Sequence, residues 1–151
     1  MKTTKITFLM ATICLNFSYG QIKEKSPEQN QLQLYKYGFS GYQSGYKSGF
    51  KIKKEVANRG KTIIVRNYTI EQLFAIAYGA GEPIKKENIV TNVVEPKKLQ
   101  QIKCYKLFVP EAQIANFYTI MQQNLKLEFP DYIITVEEKD NERFMVINDA
   151  D

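Results

Sequence analysis

Residues 67–79, Asn-Tyr-Thr-Ile-Glu-Gln-Leu-Phe-Ala-Ile-Ala-Tyr-Gly, constrain the fold more than any other stretch of this chain. Thr69 and Gln72 have the spacing of a capping box, in which the hydroxyl accepts from the backbone N–H of Gln72 and the Gln72 side chain accepts from that of Thr69. Tyr68 before the cap and Leu73 four positions into the helix have the spacing of a hydrophobic staple. Ile70, Leu73, Phe74 and Ala77 recur at i, i+3, i+4 and i+7, one face of a helix. Gly79 and Gly81 are expected to end that helix by supplying the left-handed conformation favoured there. The stretch predicts a short, well-specified helix, and it carries no chemistry of its own.

The remaining elements can be placed around it. Residues 50–53 alternate apolar and basic. Residues 61–66 are rich in β-branched side chains and run up to the turn-prone Asn67, so both read as strands. Residues 88–94 give a third strand, stopped by Pro96. Residues 103–109 give a fourth that contains Cys104, where a small thiol is expected as core filler. Pro110 is expected to open a longer helix, since a missing N–H costs nothing at the first helical position. Ile114, Phe117, Tyr118, Met121 and Leu125 form its core-facing stripe, with Asn116, Gln122, Gln123 and Lys126 turned to solvent. Residues 132–138 and 143–147 are strands joined by the polar turn at 139–142. From residue 61 the order is β-α-β-β-α-β-β. It predicts a single two-layer α+β domain with a mainly antiparallel, continuous sheet and two helices on one face, arranged as a ferredoxin-like layer or as paired β-α-β modules.

The N-terminal part reads differently. Lys2 and Lys5, the apolar run 6–17 and the small residues Ser18 and Gly20 have the layout of a secretory signal with cleavage before Gln21. The apolar run is far shorter than the roughly 20 residues a membrane span needs, so no stable span is expected after signal removal. Cys14 is preceded by Ile13 rather than a small residue, which disfavours a lipid anchor. Residues 21–49 are expected to be a flexible leader. Within it, Gly41-Tyr42-Gln43-Ser44, Gly45-Tyr46-Lys47-Ser48 and Gly49-Phe50 repeat a Gly-aromatic pattern. Too short for a solenoid, that pattern reads either as a low-complexity linker whose aromatics fold back on the domain or as a contact segment, with Tyr42, Tyr46 and Phe50 as candidate partner-contact residues. The domain itself is then expected over residues 50–149.

Composition narrows the chemistry. Loss of the two signal lysines lowers the formal charge from +5 to +3, too small and too dispersed along the sequence to point to nucleic acid. The chain has no histidine, which removes Ser-His-Asp and Cys-His arrangements and the commonest metal ligand. Once Cys14 leaves, Cys104 is a lone thiol and cannot form an intramolecular disulfide. No catalytic residues, cofactor or metal are expected. Glu111, Glu128, Glu137, Glu138 and Asp140 are available carboxylates, but no pair has a spacing that fixes a general acid and base.

Residues 63–147 resemble the soil-associated protein family, an uncharacterised domain of exported bacterial proteins. The likeness rests on the 67–73 segment with Ala77-Tyr78-Gly79, on Val93-Val94-Glu95-Pro96, on Cys104-Tyr105-Lys106-Leu107-Phe108-Val109-Pro110, on the 117–125 helix and on the closing strand pair. The resemblance implies export and no established activity. Some members of that family place the domain ahead of a thioredoxin-like reductase, whereas this sequence has no Cys-x-x-C. Two functional expectations follow. The first is a non-enzymatic envelope module, periplasmic or at the cell envelope, that binds a protein or a cell-wall or outer-membrane component. The alternative is a redox accessory acting with a thioredoxin-like partner through Cys104 as a reactive thiol.

Overall fold

The computed structural model describes residues 35–57 and 59–150; the expected signal at 1–20 and the leader residues 21–34 lie outside them. Among the described residues, seven strands and three helices form one α+β domain with one hydrophobic core. The strands are β1 (Lys36–Ser40), β2 (Gly49–Glu55), β3 (Gly60–Thr69), β4 (Ile89–Asn92), β5 (Ile102–Pro110), β6 (Tyr132–Lys139) and β7 (Glu142–Asp149). The helices are α1 (Ile70–Gly79), the single turn α2 (Pro96–Leu99) and α3 (Phe117–Glu128).

The strand, helix and hairpin order expected from residue 61 is present, but the sheet is not continuous. One sheet is four-stranded and fully antiparallel, in the order β1-β5-β3-β2. The other is three-stranded, in the order β4-β7-β6, with β4 parallel to β7. The reason lies in α1. Ile70, Leu73, Phe74, Ala75, Ile76, Ala77 and Gly79 are all buried, so this helix is apolar nearly all round and has to be covered on more than one side. It touches β3 of the larger sheet, β7 of the smaller one and α3. A chain of rings joins the two sheets through it: Phe39 lies 4.6 Å from Tyr105 and 5.6 Å from Phe129, and Phe74 lies 6.1 Å from Phe129 and 6.2 Å from Tyr132.

The capping box forms as expected. The Gln72 backbone N–H donates to Thr69 Oγ1 at 3.1 Å, and the Thr69 N–H donates to Gln72 Oε1 at 2.9 Å. The other end differs. Gly79 stays helical and Ala80 takes the left-handed conformation, with φ 53°. Gly79 is needed for close approach instead, because a Cβ there would meet the Ile84 backbone nitrogen at 3.1 Å. Arg143 Nη1 donates to the Gly79 carbonyl at 2.7 Å and closes the helix end from β7. The β6–β7 hairpin turns on Asp140 and Asn141, with φ 53° and 62°, the pair of positive values that a two-residue turn matched to strand twist requires.

Three further expectations are corrected. Pro110 ends β5 in extended conformation, and residues Glu111–Asn116 form a 3-10 segment before α3 begins at Phe117. Gln122 is not turned to solvent, since its Nε2 donates to the Ala77 carbonyl at 3.0 Å and ties α3 to α1. The domain does not begin at Phe50. Lys36–Ser40 is an edge strand on β5, and Tyr35 is buried with its hydroxyl donating to Asn124 Oδ1 at 3.3 Å. Asn124, fully buried on α3, in turn donates through Nδ2 to the Tyr105 hydroxyl at 2.9 Å. A buried amide needs such partners, and one of them comes from a segment that sequence composition presents as leader.

Candidate functional site

Alternation along the four-stranded sheet sorts its residues onto two faces. Val65, Ile63, Tyr105, Leu107 and Val109 are buried toward the helices. Among the described residues no helix packs on the opposite face, and its cross-strand registers place basic residues on both edge strands and on the inner strands. One row runs Lys36–Phe108–Thr62–Lys53, and the next runs Gly38–Lys106–Ile64–Lys51. Arg66, paired with Gly49, closes a third row beside Cys104 and Ser40. Lys36, Lys51, Lys53 and Lys106 are exposed, whereas Ile64 and Phe108 in the middle are half-buried. The Phe108 ring reaches over Gly60, which leaves it room: a Cβ on Gly60 would come within 2.5 Å of the ring. Two ion pairs occur among the described residues, Lys85–Glu142 and Lys98–Glu95, and neither is on this face. Its basic side chains are therefore uncompensated apart from Glu55 at one corner.

The end of this face is finished by residues 41–48, which cross from edge strand β1 to edge strand β2. Asn67 holds them. It sits at an irregularity in the β3–β5 register, between Val65 and Tyr68, with φ 52° and 4% exposure. Asparagine is among the few residues that adopt the left-handed conformation readily, and the turned backbone aims its side chain into the loop. Asn67 Oδ1 accepts from the Gln43 N–H at 2.8 Å, and Nδ2 donates to the Gln43 carbonyl at 2.9 Å and the Tyr46 carbonyl at 2.8 Å. Ser48 Oγ donates to the Asn67 carbonyl at 2.9 Å. The loop is thus pinned by backbone contacts, and its tyrosine side chains are left outside.

The residues singled out in the sequence separate accordingly. Tyr42 and Tyr46 are 67% and 52% exposed. The Tyr46 ring stacks on Arg66, whose guanidinium carbon is 4.3 Å from the ring centroid, so loop and basic face are one surface. Phe50 is not part of it. The register with Val65 turns it to the helix side, where it packs half-buried with its ring 6.3 Å from that of Tyr68. Cys104 is 5% exposed and engaged with Asn67: its Sγ accepts from the Asn67 N–H at 3.3 Å and its thiol donates to Asn67 Oδ1 at 3.4 Å. A thiol placed in this way packs the floor of the clamp and presents no sulfur to a partner disulfide.

The basic face was not visible as a unit in the sequence, because Lys36, Lys53 and Lys106 come together only through strand pairing. Lys51 and Lys53, two apart in an alternating run, were the local signal. Among the described residues no group of three His, Cys, Asp or Glu side chains could hold a metal, and no helix is long and apolar enough to cross a membrane. No protein-family model, no curated protein and no solved structure matches the chain.

Proposed function

We propose that this chain is an exported, non-enzymatic module of the cell envelope, which binds a protein or a cell-wall or outer-membrane component through the Tyr42/Tyr46 loop and the open sheet face beside it. The observation that carries this reading is the Asn67 clamp. A loop that spends a buried amide and three side-chain hydrogen bonds to hold its backbone, while exposing two large aromatics, is built for contact rather than for packing. Tyrosine suits such a role, since it offers a large rigid surface and a polar tip. The signal-like layout of residues 1–20 supports export, and the resemblance to the soil-associated protein family adds the same expectation without any activity. The redox alternative has lost its main support, since it needs a Cys104 that a partner can reach.

Mass spectrometry of the protein recovered from its own cells should find Gln21 as the N-terminus. Capture from an envelope extract should retain a component that Tyr42→Ser with Tyr46→Ser no longer retains. A retained Met1, or identical capture by the double variant, would contradict this reading.

A further inference from the structure

The uncovered face of the four-stranded sheet deepens that reading, on which it rests, by stating the chemistry of the partner. Its basic residues do not lie along one line. Lys36 and Lys53 stand at opposite edges of one row, three strand spacings or about 14 Å apart. Lys106 and Lys51 stand in the next row about 7 Å away, and Arg66 closes the end. Between them lie Ile64 and the Phe108 ring, both half-buried. A linear polyanion is met by a stripe of cations. Cations spread over two dimensions, on both edge strands and on the inner strands, with apolar side chains between them, instead fit a two-dimensional array of anions with apolar matter between and beneath them. Tyr46 and Tyr42 at the rim have the amphipathic build of residues that sit at a headgroup boundary. Among the described residues no helix stands above these strands, so the cations and the two tyrosines are open to a membrane surface.

We propose that this face docks on an anionic lipid bilayer. Lys36, Lys51, Lys53, Lys106 and Arg66 lie over the phosphate-bearing headgroups, while Tyr46 is held against Arg66 so that its ring enters the interface. Binding is peripheral and electrostatic, so it weakens as salt rises.

The test is sedimentation of the purified protein, carrying the N-terminus its host leaves on it, with phosphatidylcholine vesicles lacking or containing phosphatidylglycerol. Lys51→Glu with Lys53→Glu is compared with Lys97→Glu with Lys126→Glu, an equal change of charge on the helices. The face pair should lose at least about 25-fold in affinity for the anionic vesicles, taking about five-fold per cation at such a surface, and the helix pair far less. Lys106→Gln, a milder change in the middle of the face, should lose about five-fold, and circular dichroism of each variant checks that it is folded. Salt should remove the difference between the two pairs. No binding to anionic vesicles, an equal loss in both pairs, or binding to soluble polyphosphate without binding to vesicles would overturn the proposal. An envelope protein captured through Tyr42 and Tyr46 by a chain that ignores vesicles would overturn it while leaving the broader binding reading standing.

Discussion

A side-chain amide has two donors and two acceptor sites, and Asn67 engages most of them on the main chain of residues 43–46 and on the Cys104 thiol. Asn124 does the same between Tyr35 and Tyr105 in the core. Burial pushes the Tyr105 hydroxyl well above the ordinary tyrosine range, so it is protonated at neutral pH. Tyr105→Phe should therefore leave a buried Asn124 donor without its acceptor, at a cost of roughly 1–3 kcal/mol; an unchanged denaturant midpoint would show that the amide finds another partner. The capping box could be read directly, because both of its partners lie within three residues. The roles of Asn67 and Asn124 could not, because their partners lie 21 to 37 and 19 to 89 residues away. An asparagine before Tyr-Thr looks like any turn residue until the loop it holds is in place.

At the level of elements, periodicity identified the five strands and two longer helices from residue 61 onward, because each buries one face against a neighbour, but not the single turn α2. It failed for β1, which is an edge strand of alternating Tyr37 and Phe39 among Lys, Gly and Ser, too short and too polar to stand out from the Gly/Tyr repeat that follows. The pairing with β5 makes it a strand, and this is a long-range fact. A chain beginning at Phe50 would lack Tyr35, Phe39 and the whole edge partner of β5. Tyr35 is buried and Phe39 half-buried; a fully buried large aromatic is worth roughly 3–5 kcal/mol, against a total of about 5–15 kcal/mol for a domain of this size. That truncation should therefore be poorly folded and protease-sensitive, and no milder than Phe117→Ala, whose ring is 1% exposed. A truncated chain with the denaturant midpoint of the full one would mean that β1 is dispensable. The division into two sheets was likewise hidden. The α1 pattern showed one apolar face, while Ala75, Ile76 and Gly79 on its other sides are buried too, against the second sheet and its loop.

For the molecule as a whole, the two sheets leave different ends exposed. At the α1 C-terminus, Lys85 Nζ lies 2.7 Å from Glu142 Oε1, and Asn88 Nδ2 donates to Oε2 at 3.2 Å. Hydrogen bonding from Lys85 holds the Glu142 carboxyl below its ordinary range, and the same contact raises the Lys85 ammonium. A carboxyl depressed in the folded state contributes stability above its unfolded pKa and loses it as pH falls through the folded one. Wild type should therefore exceed Glu142→Gln in stability near neutrality, by the small amount expected of an exposed pair, and the gap should close below about pH 4. A gap that persists in acid would assign it to something other than this charge. At the opposite end of the strands, the basic face and its tyrosine loop make up the functional surface, and that surface exists only if the loop is pinned. Amide hydrogen exchange at Gln43, in wild type and in Asn67→Gly, tests this most directly, since glycine keeps the left-handed backbone and removes only the side-chain clamp. The Gln43 N–H should be protected in wild type and exchange freely in the variant, with Ile63 and Val65 protected in both. A Gln43 amide that exchanges freely in wild type, or that is equally protected without the Asn67 side chain, would contradict a binding surface held in place by Asn67.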